Sequence, residues 1–384
     1  MPMPDRSEPA RCSPLPRRSF LRQSAAIVLG PTLAAYGDDR TEVTPIDERI
    51  RLGATTAPLA MQFRGTTPDD ARRWQSAFAA TLRSLLGPIR PPAAWDPVLE
   101  RIVTLDDHVR EERLLTADGF DPVPFHLLLP RHVAQGSLDR RPALLAIHGH
   151  GGFGHDAIVA RGDSPKFHEE VARLHYDYGL QLVRRGYVVA APCLTPFGRR
   201  KPGKDNAQGD PCTATFVGLQ LLGRLLIAEN LRDILWTLDF VAAHPAVDPH
   251  RIGCVGLSYG GRMTMLATAL DPRLRVAVIA GALNCLQERL ATGGGAGCQV
   301  IPNLLTYGDV PEIGGLIAPR PCLWQVGSRD ELLDPEWART ALDRIGHAYH
   351  AFGAEAQLRV DRFEGGHEWH GESAYPFLKD TLKP

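Results

Sequence analysis

The chain has 384 residues, with 43 Lys+Arg against 44 Asp+Glu, a formal net charge of −1, and 44% hydrophobic residues. That apolar share excludes a disordered chain, and the balanced charge lacks the basic excess that displaces counterions from nucleic acid, so no nucleic-acid partner is expected. No run of about 18 apolar residues occurs, so stable membrane insertion is not expected either.

Residues 1–40 do not read as fold. Arg17-Arg18-Ser19-Phe20-Leu21 precedes a modest apolar run from Ala25 to Ala35, which resembles a twin-arginine export signal with Pro16 in place of the usual Ser or Thr. Ala34 and Ala35 suit a cleavage site, and Tyr36 stands where lipid anchoring would need Cys. A periplasmic or extracellular location is the expectation. Residues 41–100 are expected to form an N-terminal helical extension. Within it, 68–87 predicts a helix: Pro68, Asp69 and Asp70 suit a first turn, Trp74, Phe78, Leu82 and Leu85 recur at helical spacing, and Gly87-Pro88 ends it.

Residues 101–384 are read as the catalytic domain. Two strand-like runs across 108–130 flank the turn Ala117-Asp118-Gly119. From 142, short apolar runs (PALLAIHG, GYVVAAPC, RIGCVGLS, LRVAVIAG, PCLWQVG, AQLRVDRFEG) alternate with helical patterns near 168–185, 217–243, 261–270 and 335–350. This rhythm predicts an α/β protein with a doubly wound, mostly parallel sheet and helices on both faces. Ligands of such sheets bind beyond the carboxyl ends of the strands. The Gly-rich stretch 292–297 lacks the Lys and Ser/Thr of a phosphate loop and reads as a flexible loop. Residues 153–168 and 284–317 are expected to wall the pocket.

Gly256-Leu257-Ser258-Tyr259-Gly260 is G-x-S-x-G between a strand-like run and a helix-like run. A reversal that sharp requires small flanking residues and presents Ser258 on a strained elbow. A serine needs a base to be nucleophilic at neutral pH. Ser328-Arg329-Asp330 follows one later strand and Glu364-Gly365-Gly366-His367 another, giving Ser258, Asp330 and His367 in the order nucleophile, acid, base. Asp334, before Pro335, reads as a helix cap. His148-Gly149-His150-Gly151-Gly152 follows another apolar run, and its bend is expected to supply oxyanion donors from the amides of His150 (or Gly151), with Tyr259 as the second.

Cofactors and metals are not expected. His148, His150 and His155 have no carboxylate at ligand spacing, no C-x-x-C occurs, and His367-Glu368-Trp369-His370 has i,i+3 spacing where a helical zinc protease has i,i+4. Chelators should therefore leave turnover unchanged. Of the seven cysteines, Cys12 falls in the signal. Cys254 and Cys322 sit in strand-like runs as buried thiols, whereas Cys193, Cys212, Cys285 and Cys298 lie near loops, where a Cys285–Cys298 bridge is open.

From about residue 100, the stretches HGHGG (148–152), APCLTPFG (191–198), DPHRIGCVGLSYGG (248–261), IAPRPCLWQVGSRD (317–330) and FEGGHEWH (363–370) resemble the α/β-hydrolase superfamily. Within it they are similar to bacterial acetyl xylan esterases, cephalosporin deacetylases and dienelactone hydrolase-like esterases. The resemblance implies hydrolysis of a small-molecule or carbohydrate ester without a cofactor, through an acyl-enzyme on Ser258. Dienelactone hydrolases proper use Cys at the elbow, where this chain has Ser. A serine peptidase of the prolyl-oligopeptidase type shares the triad, but the roughly hundred residues before the sheet are too few for its propeller. A non-catalytic binding protein on the same fold is the remaining alternative. The basic run Arg199, Arg200, Lys201 and Lys204 raises the possibility of an anionic ester, against solvated surface.

Overall fold

Nine strands join in one sheet in the computed structural model, which describes residues 43–136, 139–203, 210–295 and 297–384. They are β1 (Asp96–Thr104), β2 (His108–Thr116), β3 (Val123–Pro130), β4 (Arg141–Ile147), β5 (Val188–Pro192), β6 (Val247–Leu257), β7 (Leu274–Ala280), β8 (Cys322–Gly327) and β9 (Leu358–Phe363), in the order β1-β2-β3-β5-β4-β6-β7-β8-β9. β1, β2, β3 and β5 pair antiparallel in turn, and every pairing from β5 through β4 to β9 is parallel. The sheet is thus doubly wound and mostly parallel. The export signal, the Cys12 assignment and Lys204 lie outside the described residues.

Wholly apolar runs are what a sheet covered on both faces requires, and β4 shows it residue by residue. Ala143, Leu145 and Ile147 enter one core with Phe78 and Leu82, while Leu144 and Ala146 enter a second core with Phe167, Leu182 and Phe377 on the other face. Helices Pro68–Leu86, Leu226–Ala243, Tyr259–Leu270 and Pro335–Ala351 cover the first face, and Pro165–Leu174, Tyr178–Val183 and Gly371–Leu382 the second. No single helix among the described residues is long and apolar enough to cross a membrane.

Pro45–Pro384 forms one compact unit, so the helical extension belongs to the same body as the sheet. Helix Pro68–Leu86 starts on a capping box between Thr67 and Asp70 and ties Trp74 Nε1 to the Met61 carbonyl at 2.6 Å. Two predicted helices are each two. The pattern at 168–185 divides where His175 adopts a left-handed conformation. The pattern at 217–243 becomes Pro211–Leu221 and Leu226–Ala243, bent by 95° around Leu222 and Gly223, whose φ of 71° ends the first helix.

From β4 the chain moves to β5 on one side, and from β5 it crosses to β6 on the other side of β4. This is the switch point where connections leave a crevice at the strand ends, and the loops after β4 and β6 flank it.

Candidate active site

β6 ends at Leu257 and helix Tyr259–Leu270 begins two residues later, leaving Ser258 alone in the reversal at φ 62°, ψ −124°. That conformation costs a non-glycine residue about 1–3 kcal/mol. Neighbouring bonds hold it: Ser258 N donates to Ala280 O at 2.8 Å, and Arg262 N donates to Ser258 O at 3.0 Å. The flanking glycines answer to close backbone approach. A Cβ on Gly260 would fall on the Ile147 carbonyl at the end of β4, and one on Gly256 would lie 2.8 Å from the same oxygen.

The two other strand ends bring the acid and the base together. After β8, Asp330 is held by its own amide donating to Gly327 O at 3.2 Å and by Leu332 N donating to Oδ1 at 3.0 Å. Its Oδ2 accepts from His367 Nδ1 at 2.8 Å. The Asp330 side chain is 1% exposed and that of His367 21%. A carboxylate acceptor assigns the Nδ1–H tautomer and leaves Nε2 with its lone pair. That nitrogen is buried and has no hydrogen-bond partner among the described residues. The ring borders Gly281 at the end of β7, and Gly281 lines the same cavity as Ser258. Asp334 instead caps helix Pro335–Ala351, accepting from the amides of Glu336 and Trp337. His370 bonds Asp361 at 2.6 Å, while Trp369 is buried against Tyr178.

The loop after β4 is pinned from beneath. Buried His148 lies with Nδ1 2.9 Å from Gly149 O and accepts from Leu194 N at Nε2, and burial pushes its pKa down to about 4. The Gly149 amide donates to the Tyr176 hydroxyl, so it is committed. A Cβ on Gly149 would lie 2.9 Å from Ser258 Cβ, which sets how closely this loop approaches the nucleophile. His150 follows at the cavity surface, its ring centroid 5.1 Å from that of Tyr259. Gly151 packs toward Glu170.

Ser258 opens into a cavity of about 260 Å³ whose other walls include His150, Asp210, Asn284, Arg289 and Gln299. Arg262 also borders it, donating to the carbonyl and side-chain oxygens of Asn284 at 2.8 and 2.6 Å, and burial lowers its pKa to about 10. The expected wall at 284–317 is therefore present in part. The expected wall at 153–168 is not: none of its residues lines this cavity, and Phe153 and Phe167 pack on each other instead. Nor are Arg199 and Arg200 free to read an anion. Arg199 forms a two-pronged pair with Glu100 at 2.5 and 3.0 Å, and Arg200 pairs with buried Asp233 at 2.5 Å.

All six described cysteines are buried and unbridged. The Cys285–Cys298 bridge does not form, because Cys285 caps helix Leu286–Ala291 while Cys298 lies beside Cys212 and His150. This second grouping was invisible in the sequence, where His150 and Cys298 stand 148 positions apart. A further group, His126, His155 and Asp156, lies beneath the loop after β4, with His126 bonded to Asp156 at 2.7 Å.

Comparison with known proteins agrees with this architecture. Residues 223–284 match the prolyl oligopeptidase family. Over 296 residues the chain is 29% identical to a candidate hydrolase of Bacillus subtilis (strain 168), YtaP, covering 74% of this chain and 90% of that protein. A candidate acetyl xylan esterase of Bacteroides fragilis NCTC 9343 superposes with a TM-score of 0.71 at 18% identity, covering 86% of this chain and 84% of that one. A glucuronoyl esterase of Teredinibacter turnerae T7901 gives 0.59 at 19% identity, covering 85% and 91%. Acetyl xylan esterase 1 of a Thermoanaerobacterium species gives 0.53 at 17%, covering 88% and 99%. The fold is that of the α/β-hydrolases.

Proposed function

We propose that this α/β-hydrolase-fold chain is a serine carboxylesterase that removes a small acyl group, acetyl foremost, from a carbohydrate or other small ester. The observation that carries the reading is the 2.8 Å bond between His367 Nδ1 and Asp330, with the His367 ring against Gly281, which lines the cavity of Ser258. Nε2 of His367 takes the Ser258 proton as Oγ attacks the ester carbonyl, then returns it to the leaving alcohol. Asp330 holds the tautomer and stabilises the imidazolium. Water attacks the acyl-enzyme by the same route. The tetrahedral oxyanion is assigned to the amides of Tyr259 and of His150, with Gly151 as the substitute for the latter; one such donor is worth about 10²–10³ in kcat.

The cavity argues for the substrate class. About 260 Å³ suits a short acyl group, and Asp210, Asn284, Arg289 and Gln299 offer donors and acceptors for hydroxyls where a long acyl chain would need apolar walls. Two of the structural neighbours named above carry acetyl xylan esterase in their names and one glucuronoyl esterase. The match at 223–284 covers the helix before β6, β6, the elbow, the helix after it and β7, parts that a peptidase and an esterase would share. Export by the twin-arginine route belongs to the same proposal and rests on Arg17 and Arg18.

The test is a panel of nitrophenyl esters of graded acyl length with acetylated xylo-oligosaccharides, methyl glucuronate esters and prolyl peptides. Acetyl esters should turn over fastest, and Ser258→Ala should lower that rate by about 10³ or more with the fold intact. Preference for a prolyl peptide, or wild-type turnover by Ser258→Ala, would overturn the reading.

A further inference from the structure

His150, Cys212 and Cys298 arrive from three separate segments. His150 follows β4, Cys212 stands in the first turn of helix Pro211–Leu221, and Cys298 lies in the short turn Gly297–Gln299. Nε2 of His150 is 2.9 Å from Sγ of Cys298. The Cys212 thiol is within hydrogen-bond reach of both, and all three potential ligand atoms lie within 4.8 Å of one another. Both thiols are buried, and His150 is exposed at the wall of the Ser258 cavity. The proposed acyl transfer uses neither thiol and only the backbone of His150.

We propose that His150 Nε2, Cys212 Sγ and Cys298 Sγ form a binding site for a thiophilic divalent cation, Zn²⁺. Two thiolates and an imidazole are a donor set that zinc takes in tetrahedral coordination, with the fourth position left to water or another donor. Two thiolates also neutralise the charge of the ion, which removes much of the cost of placing it in a buried setting. Occupancy would fasten the loop after β4 to helix Pro211–Leu221 and to the turn Gly297–Gln299. The group His126, His155 and Asp156 does not compete. Its two rings stack at 4.5 Å with an 18° tilt, so their in-plane lone pairs run side by side, and Arg161 already pairs with Asp156. A Cys212–Cys298 disulfide would consume the same sulfurs and give His150 no part.

The experiment titrates the full chain, reduced and metal-free under anaerobic conditions, with Zn²⁺ in competition with a chromophoric chelator and separately with Co²⁺. One equivalent should bind, Co²⁺ should produce a thiolate-to-metal charge-transfer band in the near ultraviolet, and zinc should raise the melting temperature. Cys212→Ser and Cys298→Ser should each weaken both the binding and that band, since each removes one of its two thiolates. The unmodified chain's own cobalt spectrum reports thiolate ligation even if a variant does not fold. Failure of the reduced chain to bind overturns the proposal, including the case in which peptide mapping finds a Cys212–Cys298 disulfide whose reduction restores no binding. So does full binding by both serine variants. None of these readouts depends on ester hydrolysis.

Discussion

His367 Nδ1 donates to Asp330 Oδ2 across 2.8 Å, and this bond decides which ring nitrogen keeps a lone pair. The partner carboxylate is 1% exposed, so water does not substitute for it. Asp330→Asn keeps the shape and removes the charge, and its amide can turn its NH₂ toward the ring and select the wrong tautomer. Turnover of an acetyl ester should fall by about 10³–10⁴-fold with an unchanged circular dichroism spectrum. A loss below tenfold would place the acid of the triad elsewhere.

Arg199 and Arg200 answer different structural needs and should separate on mutation. Arg199 is 40% exposed in its pair with Glu100, so Arg199→Ala should cost under about 1 kcal/mol in urea unfolding. Arg200 meets Asp233, whose side chain is 0% exposed and is bonded also by Arg232 at 2.8 Å. Removing Arg200 strands part of a buried charge, and about 3 kcal/mol is expected, at the low end for a broken buried pair because Arg232 remains. Neither variant should alter the ratio of kcat/KM for neutral and acidic esters, since neither arginine lines the cavity.

What was legible in the sequence was what local rules dictate. The elbow at Ser258 shows because backbone crowding at Gly256 and Gly260 leaves a local signature, and the parallel strands show because burial on both faces demands unbroken apolar runs. β1 was missed, since its residues are exposed along nearly their whole length and carry no alternation of burial. The break in the helical pattern at 217–243 was missed because an apolar stretch reads alike on either side of Gly223, and only its φ of 71° marks the end of the first helix. The partners of Arg199, Arg200 and Cys298 were unreadable for a third reason: each is fixed by packing between segments far apart, and a charge run or a lone Cys carries no mark of what it will meet.

Glu170 offers a test by pH. Burial raises its pKa above the usual carboxylate value, and Oε1 is buried beside Gly151 without a partner among the described residues. A carboxyl whose folded pKa is raised binds its proton more tightly in the native state than in the unfolded one. Its contribution to stability is therefore complete below the unfolded value of about 4.3 and is lost as pH rises through the folded value. Glu170→Gln, which stays neutral, should match wild type in thermal melts below about pH 4 and melt higher at pH 7. Equal melting temperatures at both pH values would show that the carboxylate is solvated.

Gly281 couples the end of β7 to the base. Its φ is 57°, its amide donates to Gln325 O at 3.2 Å, and an added Cβ would come within 2.8 Å of His367 Cε1 and 3.0 Å of Nδ1. Alanine therefore imposes two penalties, a left-handed backbone costing about 1–2 kcal/mol and a collision with the imidazole. Gly293 separates them: its φ is 77° and nothing among the described residues lies within 4 Å of an added Cβ, so Gly293→Ala carries the backbone cost alone. Gly293→Ala should lose about 1–2 kcal/mol in denaturant and Gly281→Ala more than that. Only Gly281→Ala should lose turnover, by about 10²-fold in kcat with KM little changed, because a displacement of about 1 Å at a reacting group is worth that much. Equal kcat in the two variants would mean that the His367 ring can shift away from Gly281 and still serve the nucleophile.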